Sequence, residues 1–481
     1  MTDGRSGRID RRGFLGMLGA AGGWLEGVAL AGEAARQRPL NFVLILVDDL
    51  GWTDLACFGS RYFETPHLDR LATQGMRFTN AYAACAVCSP TRAAVMTGRY
   101  PARVGVTDWI RARFQGGKVP PGEAPPEYVD EGRSLVCPRN PFWMELEERT
   151  LAEALKVAGY TSCHIGKWHL GTDEYHPDKQ GFDFNIGGCD YGQPPSYFDP
   201  YRRKGQHGIP TLAPRQAGEY LTDREADEAA RFIRAHRDRP FFLYMAHYAV
   251  HTPLQAKPEL VAKYKAKTPT NQKNPVYAAM IESMDAAAGR ILQTIDDEGL
   301  AANTVVIFTS DNGGLLGSTH NAPLRAGKGY AYEGGIRVPL IVRWPGVARA
   351  GAVCEAPVTS VDYFPTLLAL AGAEPPADRA IDGVSLAPLL KGAGDLGREA
   401  IFWHFPHYRG QDVVPYSIVR AGDWKLIKRY EGTEFEMFNL REDLSEEHDV
   451  AAQMPARVKE LDARLRAWLR ETGAKMPKKR S

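Results

Sequence analysis

Patterns of buried strands and amphipathic helices alternate along most of this chain. Asn41–Val47 is an unbroken apolar run, as expected of a strand covered on both faces. Thr65-Pro66 then supplies an N-cap and a first-turn proline. Leu68, Leu71 and Ala72 recur at helical spacing, and Gly75 can stop that helix. Thr150 and Glu153 have the spacing of a capping box ahead of an apolar face of Leu151, Ala154, Leu155 and Ala158. Gly159 closes this helix, and residues 160–165 read as a strand. Further strands are predicted at 241–245 and 304–309. Between them a long helix over about 277–298 lines up Met280, Ile281, Met284, Ala288, Ile291, Leu292 and Ile295. This alternation predicts an α/β fold with a doubly wound, mostly parallel sheet.

Past residue 398 the texture changes to short aromatic-rich pieces, Ile401–Phe405, 417–420 and 424–428. They are followed by a helix with Val458, Leu461, Leu465 and Trp468 on one face. The division predicted is a large domain over 38–398 and a small antiparallel-sheet-plus-helix subdomain over 399–481, whose basic tail (475–481) is expected to be disordered. Residues 1–31 read as a targeting segment instead of fold. Arg11-Arg12 ahead of Phe14-Leu15 resembles a Tat export signal, Ala29-Leu30-Ala31 offers a cleavage site, and Glu26 with many glycines argues against a membrane span. The expectation is export by the Tat machinery of a bacterium to the periplasm or beyond, without a membrane anchor.

Composition narrows the function classes. The 481 residues carry 59 basic and 58 acidic side chains, a formal net charge of +1. Residues 1–31 hold four arginines and three acids, so the remainder balances at 55 of each. Such a chain has no bulk field to hold a polyanion, so no nucleic-acid partner is expected and any anion must meet a local basic pocket. Seven cysteines (57, 85, 88, 137, 163, 189 and 354) are too few for a disulfide scaffold, and their odd number leaves at least one without an intrachain partner.

Polar groups collect just after the apolar strands: Asp48-Asp49, Gly166-Lys167-Trp168-His169, His247 with His251, and Asp311-Asn312. In open α/β sheets sites form at the carboxyl edge, so these groups should converge. Asp48, Asp49, Asp311 and Asn312 form an all-oxygen set suited to a hard divalent cation, calcium or magnesium. A single Asp after a strand is ordinarily a turn or cap residue; two such clusters favour a metal. His247 reads as a packed histidine, and His320 is given no role.

The sharpest signal is Cys88-Ser-Pro-Thr-Arg92, continuing Ala-Ala-Val-Met-Thr97-Gly98-Arg99. Cys85-Ala-Val-Cys88 is formally a CxxC, but no second pair for a zinc site and no thioredoxin-like pattern accompany it. With these residues the chain resembles the type I sulfatases, of the alkaline-phosphatase-like superfamily, whose Cys-x-Pro-x-Arg cysteine is oxidised to formylglycine. The resemblance implies that a formylglycine-generating enzyme converts Cys88 to 3-oxoalanine. It implies that Asp48, Asp49, Asp311, Asn312 and the modified residue 88 hold one calcium ion, with magnesium as the alternative. It assigns substrate contacts to Lys167, His169, His251 and Lys328 (in Gly-Lys-Gly-Tyr-Ala-Tyr-Glu-Gly-Gly), and support of the nucleophile and the metal carboxylates to Arg92. Phe435-Glu-Met-Phe-Asn-Leu440 resembles the family's C-terminal motif, with Asn439 where Asp is common.

The activity implied is that of a sulfuric ester hydrolase of the arylsulfatase type, with sulfated carbohydrates as the expected substrates. One of His169 and His251 would protonate the leaving alcohol and the other assist the diol; His169 is read as the base, although sequence does not decide between them. The alternatives are a phosphatase or phosphonate monoester hydrolase of the same superfamily, and a non-catalytic protein that binds sulfated glycans. A two-metal phosphatase needs extra His and Asp ligands, and here lysines stand where a second metal would sit. Tyr191, Tyr197, Tyr201, Arg202 and Arg203, within 183–208, could shape a sugar subsite or form an ordinary surface loop.

Overall fold

The apolar run Asn41–Val47 (β1) is a strand with all seven residues buried. In this computed structural model, which describes residues 38–117, 126–203 and 207–480, β1 lies within the largest sheet. The sheet adds β2 (Met76–Phe78), β3 (Thr161–Gly166), β4 (Phe184–Ile186), β5 (Phe241–Ala246), β6 (Thr304–Ser310), β7 (Leu340–Arg343) and β8 (Ala352–Cys354) in the spatial order β8-β2-β7-β6-β1-β5-β3-β4. β1 runs parallel to both neighbours, with Phe42 opposite Phe242 on one side and Val305 on the other. Only β7 runs antiparallel to its partners. The sheet is therefore mixed but mostly parallel, as the strand–helix alternation predicts. The Arg11-Arg12 motif and the cleavage site at 29–31 lie outside the described residues.

Both faces are covered, which explains why the strands read as continuous apolar runs. Val43, Ile45 and Val47 pack in one core with the helices Leu221–Ala235 and Pro275–Asp297. Phe42, Leu44 and Leu46 pack in the other with the helices Cys88–Thr97, Leu151–Val157 and Tyr363–Ala371. The seven apolar residues expected along the long helix are all fully buried.

Local signals were mostly realised. Thr150 accepts from Glu153 N while the Glu153 carboxylate accepts from Thr150 N, a complete capping box. That helix stops at Val157, and its buried face is Leu151, Ala152 and Leu155; Ala158, placed on the apolar face by spacing, is a solvent-facing C-cap. Thr65 precedes the helix Pro66–Gln74 but does not cap it. Its hydroxyl is engaged with Ala56 N and Asp69. Asp285, distant in sequence, instead accepts from His67 N and Leu68 N. A tertiary carboxylate thus satisfies the free N–H groups that the local rule assigns to the N-cap.

The strands Ile401–Phe405, Tyr416–Ala421, Trp424–Arg429 and Phe435–Asn439 form a four-stranded antiparallel meander. The helix Pro455–Glu471 packs Leu461, Leu465 and Trp468 in one core with Val419 and Leu426 of that meander. The basic tail is a correction: Lys478–Lys479 pairs with the edge of the strand Leu135–Pro138. Lys478 lies 3.6 Å over the Tyr128 ring and Arg480 bonds Asp130. An open strand edge flanked by an acid gives these cations partners that composition does not reveal. Among the described residues no helix is long and apolar enough to cross a membrane.

Candidate active site

Four adjacent parallel strands, in the order β6-β1-β5-β3, end on one edge of the sheet. They deliver Asp311, Asp48, His251 and Lys167 to that edge, since parallel strands share the direction in which their carboxyl ends point.

The oxygen set is buried and under-satisfied. Asp48, Asp49, Asp311 and Asn312 are all at most 1% exposed. Asp49 N bonds one Asp311 oxygen, and Asn312 Nδ2 donates to Asp49 Oδ1 at 2.8 Å. Asp48 Oδ1, Asp49 Oδ2 and Asn312 Oδ1 have no hydrogen-bond partner. Ligand atoms of Asp48, Asp49 and His251 lie within 4.8 Å of one another, the sole such acidic or histidine group among the described residues. Burial, then the nearby Asp311 charge, holds the Asp48 carboxyl well above the usual range. Burial acts the same way on Asp49 but is outweighed by Lys328 and His251, which hold it below that range.

Three cations oppose these acids. Lys167 Nζ donates to Asp48 Oδ2 and Lys328 Nζ lies against Asp49 Oδ1, each at 2.5 Å. Arg92 Nε donates to Asp311 at 2.9 Å and its Nη1 to the Lys167 carbonyl at 2.8 Å. Burial would lower the Lys328 pKa, but Asp49 and its neighbours outweigh it and keep this lysine charged. Three carboxylates and three cations cancel formally, so a divalent ion would leave an excess of two positive charges facing an incoming anion.

Cys88 is the first residue of a helix buried along its whole length. The helix entry is tied by Thr91, whose hydroxyl accepts from Cys85 N and lies 3.1 Å from Cys85 O. Arg92, one turn along, places the cysteine beside the carboxylates. Free N–H groups at such a helix start favour an anion. Cys88 lines a cavity of about 220 Å³ together with His169, His251 and Lys328.

His169 has a left-handed backbone (φ 61°) and its Nε2 lies 2.6 Å from the Ile110 carbonyl. A carbonyl only accepts, so Nε2 carries the proton and the buried, unpartnered Nδ1 holds the lone pair. Burial, then Lys167 and Arg92, holds this imidazole well below the ordinary histidine range. His251 Nδ1 bonds the Thr252 carbonyl at 2.9 Å, and its Nε2 lies 3.5 Å from Asp49. Burial and Lys328 lower its pKa, with Asp49 opposing.

His247 is fully buried against Glu225 at 2.7 Å, a packed histidine as its sequence context suggests. His320 is exposed and accepts from Ala322 N. Of the aromatic residues in 183–208, Tyr197 and Tyr201 are fully buried: Tyr197 donates to the Tyr248 and His251 carbonyls and Tyr201 to Glu219. They are scaffold, unavailable to a sugar. Trp109, Gln115, Gly192, Gln193 and Arg409 complete the cavity wall. Gly192 and Gln193 lie in the loop after β4, whereas Trp109, Gln115 and Arg409 follow no strand of the main sheet, so no carboxyl-edge signal marks those three in the sequence.

The sulfatase family profile matches residues 40–373, and that of the N-sulphoglucosamine sulphohydrolase C-terminal region matches 326–475. A sulfatase of Formosa agariphila is 34% identical, covering 92% of this chain and 90% of its own. The N-acetylgalactosamine-6-sulfatase of Homo sapiens is 38% identical over 80% of this chain and 72% of that protein. Among solved structures, Ps i-CgsB in complex with k-i-k-neocarrahexaose superposes with a TM-score of 0.76 at 30% identity, covering 90% of this chain and 93% of that one.

Proposed function

Because this chain belongs to the sulfatase family and is a sulfuric ester hydrolase, we propose that it cleaves sulfate esters of carbohydrates through a formylglycine made from Cys88, beside one divalent cation. The carrying observation is that Cys88 shares one cavity with His169, His251 and Lys328. Carbohydrate as the substrate class is supported by the names of the relatives, one an N-acetylgalactosamine-6-sulfatase and one complexed with a neocarrahexaose.

The donor set suits the cation. Three buried oxygens without partners, on Asp48, Asp49 and Asn312, are costly unless something positive meets them. Asp48, Asp49, Asp311, Asn312 and the oxidised residue 88 would hold it, and all-oxygen coordination favours calcium, with magnesium the alternative. Bound there, the ion would add positive charge against the anion at sulfur and lower the pKa of a hydroxyl it touches. Hydrated formylglycine would supply two hydroxyls on one carbon, one to attack sulfur and one whose deprotonation expels sulfate and restores the aldehyde.

The remaining steps belong to side chains already in place. Lys167 and Lys328 hold the sulfate oxygens, aided by the N–H groups at the Cys88 helix start. Arg92 fixes Asp311 and, through the Lys167 carbonyl, the strand end that carries Lys167. His169 Nδ1, with a lone pair and no partner, takes the diol proton; His251, whose Nδ1–H stays on the Thr252 carbonyl, first takes up a second proton at Nε2, beside Asp49, and then gives it to the leaving alcohol. The Arg11-Arg12 segment directs the chain to Tat export before residues 32 onward act in the periplasm or outside.

The test pairs chemistry with occupancy. Mass spectrometry of the peptide containing residue 88, in protein from a host with a formylglycine-generating enzyme, should show the aldehyde. The same sample should hydrolyse nitrophenyl sulfate faster than nitrophenyl phosphate and lose activity to a chelator, with recovery on adding calcium or magnesium. Fully converted protein that turns over the phosphate ester and not the sulfate would overturn this reading in favour of a phosphohydrolase.

A further inference from the structure

Arg409 stands on the same cavity wall as Cys88 and Lys328, yet it differs from the other cations there. Arg92, Lys167 and Lys328 each sit on a carboxylate. Among the described residues the Arg409 guanidinium makes no ion pair and no side-chain hydrogen bond. Its position is set by backbone and packing. Arg409 N bonds the Val413 carbonyl in the loop between the first two strands of the C-terminal meander. A Cβ placed on Gly329 would lie 2.6 Å from Arg409 Cδ and Nε, so the side chain rests on the residue next to Lys328. Gly329 has φ +90°, which together with that contact reserves the position for glycine.

Asp108 lies near enough to Arg409 for the guanidinium charge to act on its carboxyl. It gives one oxygen to Trp109 N at 2.8 Å, and burial pushes it up to about 7, so it is a poor permanent counterion. The rest of the wall suits a sugar: Trp109 contributes an aromatic ring, and Gln115 and Gln193, whose amide oxygens accept from Ala112 N and the Thr252 hydroxyl, keep NH₂ groups that can donate to hydroxyls. Beyond Trp109 a second cavity of about 390 Å³, bounded by His407 and Tyr408, leaves room for a neighbouring sugar.

Building on the sulfatase reading, we propose that Arg409 binds a second anionic group of the substrate, a carboxylate or another sulfate on the same saccharide, and so selects polyanionic sugars over singly charged esters. A planar guanidinium with unused N–H donors matches either oxyanion in a two-point contact. The near-zero net charge of the chain makes such a local cation the means of discrimination.

The experiment compares kcat/KM of the wild-type chain, Arg409→Ala and Arg409→Lys on three substrates. These are a hexosamine monosulfate, a hexosamine disulfate, and a sulfated disaccharide containing a hexuronate; nitrophenyl sulfate serves as the control. The wild type should favour at least one of the two polyanionic sugars over the monosulfate by about tenfold or more, the usual value of a charged contact. Arg409→Ala should bring that ratio close to one, mainly through KM, and Arg409→Lys should recover part of it. Which polyanion shows the preference identifies the second group. An absent preference in the wild type, or one that survives in Arg409→Ala, overturns the proposal while turnover of nitrophenyl sulfate leaves the sulfatase reading standing. Failure on every sulfate ester by protein carrying the aldehyde defeats that underlying reading instead.

Discussion

His169 and Asp49 both adopt a left-handed backbone, at φ 61° and 60°. A side-chain-bearing residue is uncommon there, and such strain concentrates where a side chain must be aimed. For His169 the aim depends on Gly192: a Cβ at that position would lie 2.6 Å from the imidazole Cε1 and 2.7 Å from Nε2. Gly192→Ala should therefore push the ring off its Ile110 contact and lower kcat by about 10²-fold, the usual effect of an ångström-scale misplacement. Steady-state kinetics beside a thermal melt checks this, since unchanged kcat in a folded variant would remove His169 from the reaction. Cys88→Ala should abolish turnover because, among the described residues, no other thiol and no hydroxyl lines the cavity. Lys328→Ala removes one electrostatic contact and should lose about 10²–10³ in rate while leaving measurable hydrolysis. Single-turnover assays separate the two, and wild-type rates in Cys88→Ala would disprove the nucleophile.

At the scale of elements, the C-terminal meander carries its own pH sensitivity. His404, on the strand Ile401–Phe405, is buried with Nδ1 2.7 Å from the Ser417 hydroxyl and Nε2 3.0 Å from the Lys475 carbonyl. Both contacts suit a neutral ring with the proton on Nε2, and burial pushes its pKa down to about 4. An unfolded histidine titrates near ~6.5. Protons therefore bind the unfolded chain first, and this group's contribution is complete above pH ~6.5 and lost as pH falls towards 4. A shift of that size corresponds to about 3 kcal/mol. Urea midpoints at pH 7 and pH 4.5 should differ less in His404→Leu than in the wild type; equal slopes would show that this histidine does not titrate as described.

Over the whole molecule, the meander and the short helix Glu333–Ile336 share a buried charge cluster. Lys425 Nζ lies 3.0 Å from Glu333 and 2.7 Å from Glu446, with all three side chains buried. Glu446 in turn accepts from Glu333 N, and its carbonyl accepts from Arg325 at 2.7 Å. Lys328 lies between Arg325 and Glu333, so the small sheet anchors the segment that presents Lys328 to the cavity. Lys425→Met would leave two buried carboxylates without their common cation. It should cost about 3–5 kcal/mol in denaturant unfolding and reduce kcat/KM through the loosened Lys328 segment. Full stability in this variant would contradict the anchoring role.

Much of this was legible in the chain alone. The run Asn41–Val47 could only be a strand covered on both faces, and the polar pairs behind four such strands had to share an edge once those strands ran parallel. Cys88-Ser-Pro-Thr-Arg92 marked its family because its chemistry is compressed into five consecutive residues. These are local facts, set by side-chain periodicity and by short-range spacing. What tertiary structure alone decided involves groups that meet across long separations. Asp285 caps a helix more than two hundred residues away, Tyr197 supports His251 from the core instead of lining the pocket, and Arg409 reaches the cavity from the C-terminal meander. Periodicity says which face of an element is buried but not what it is buried against, so partners, free cations and the shape of the pocket emerge only when the layers pack.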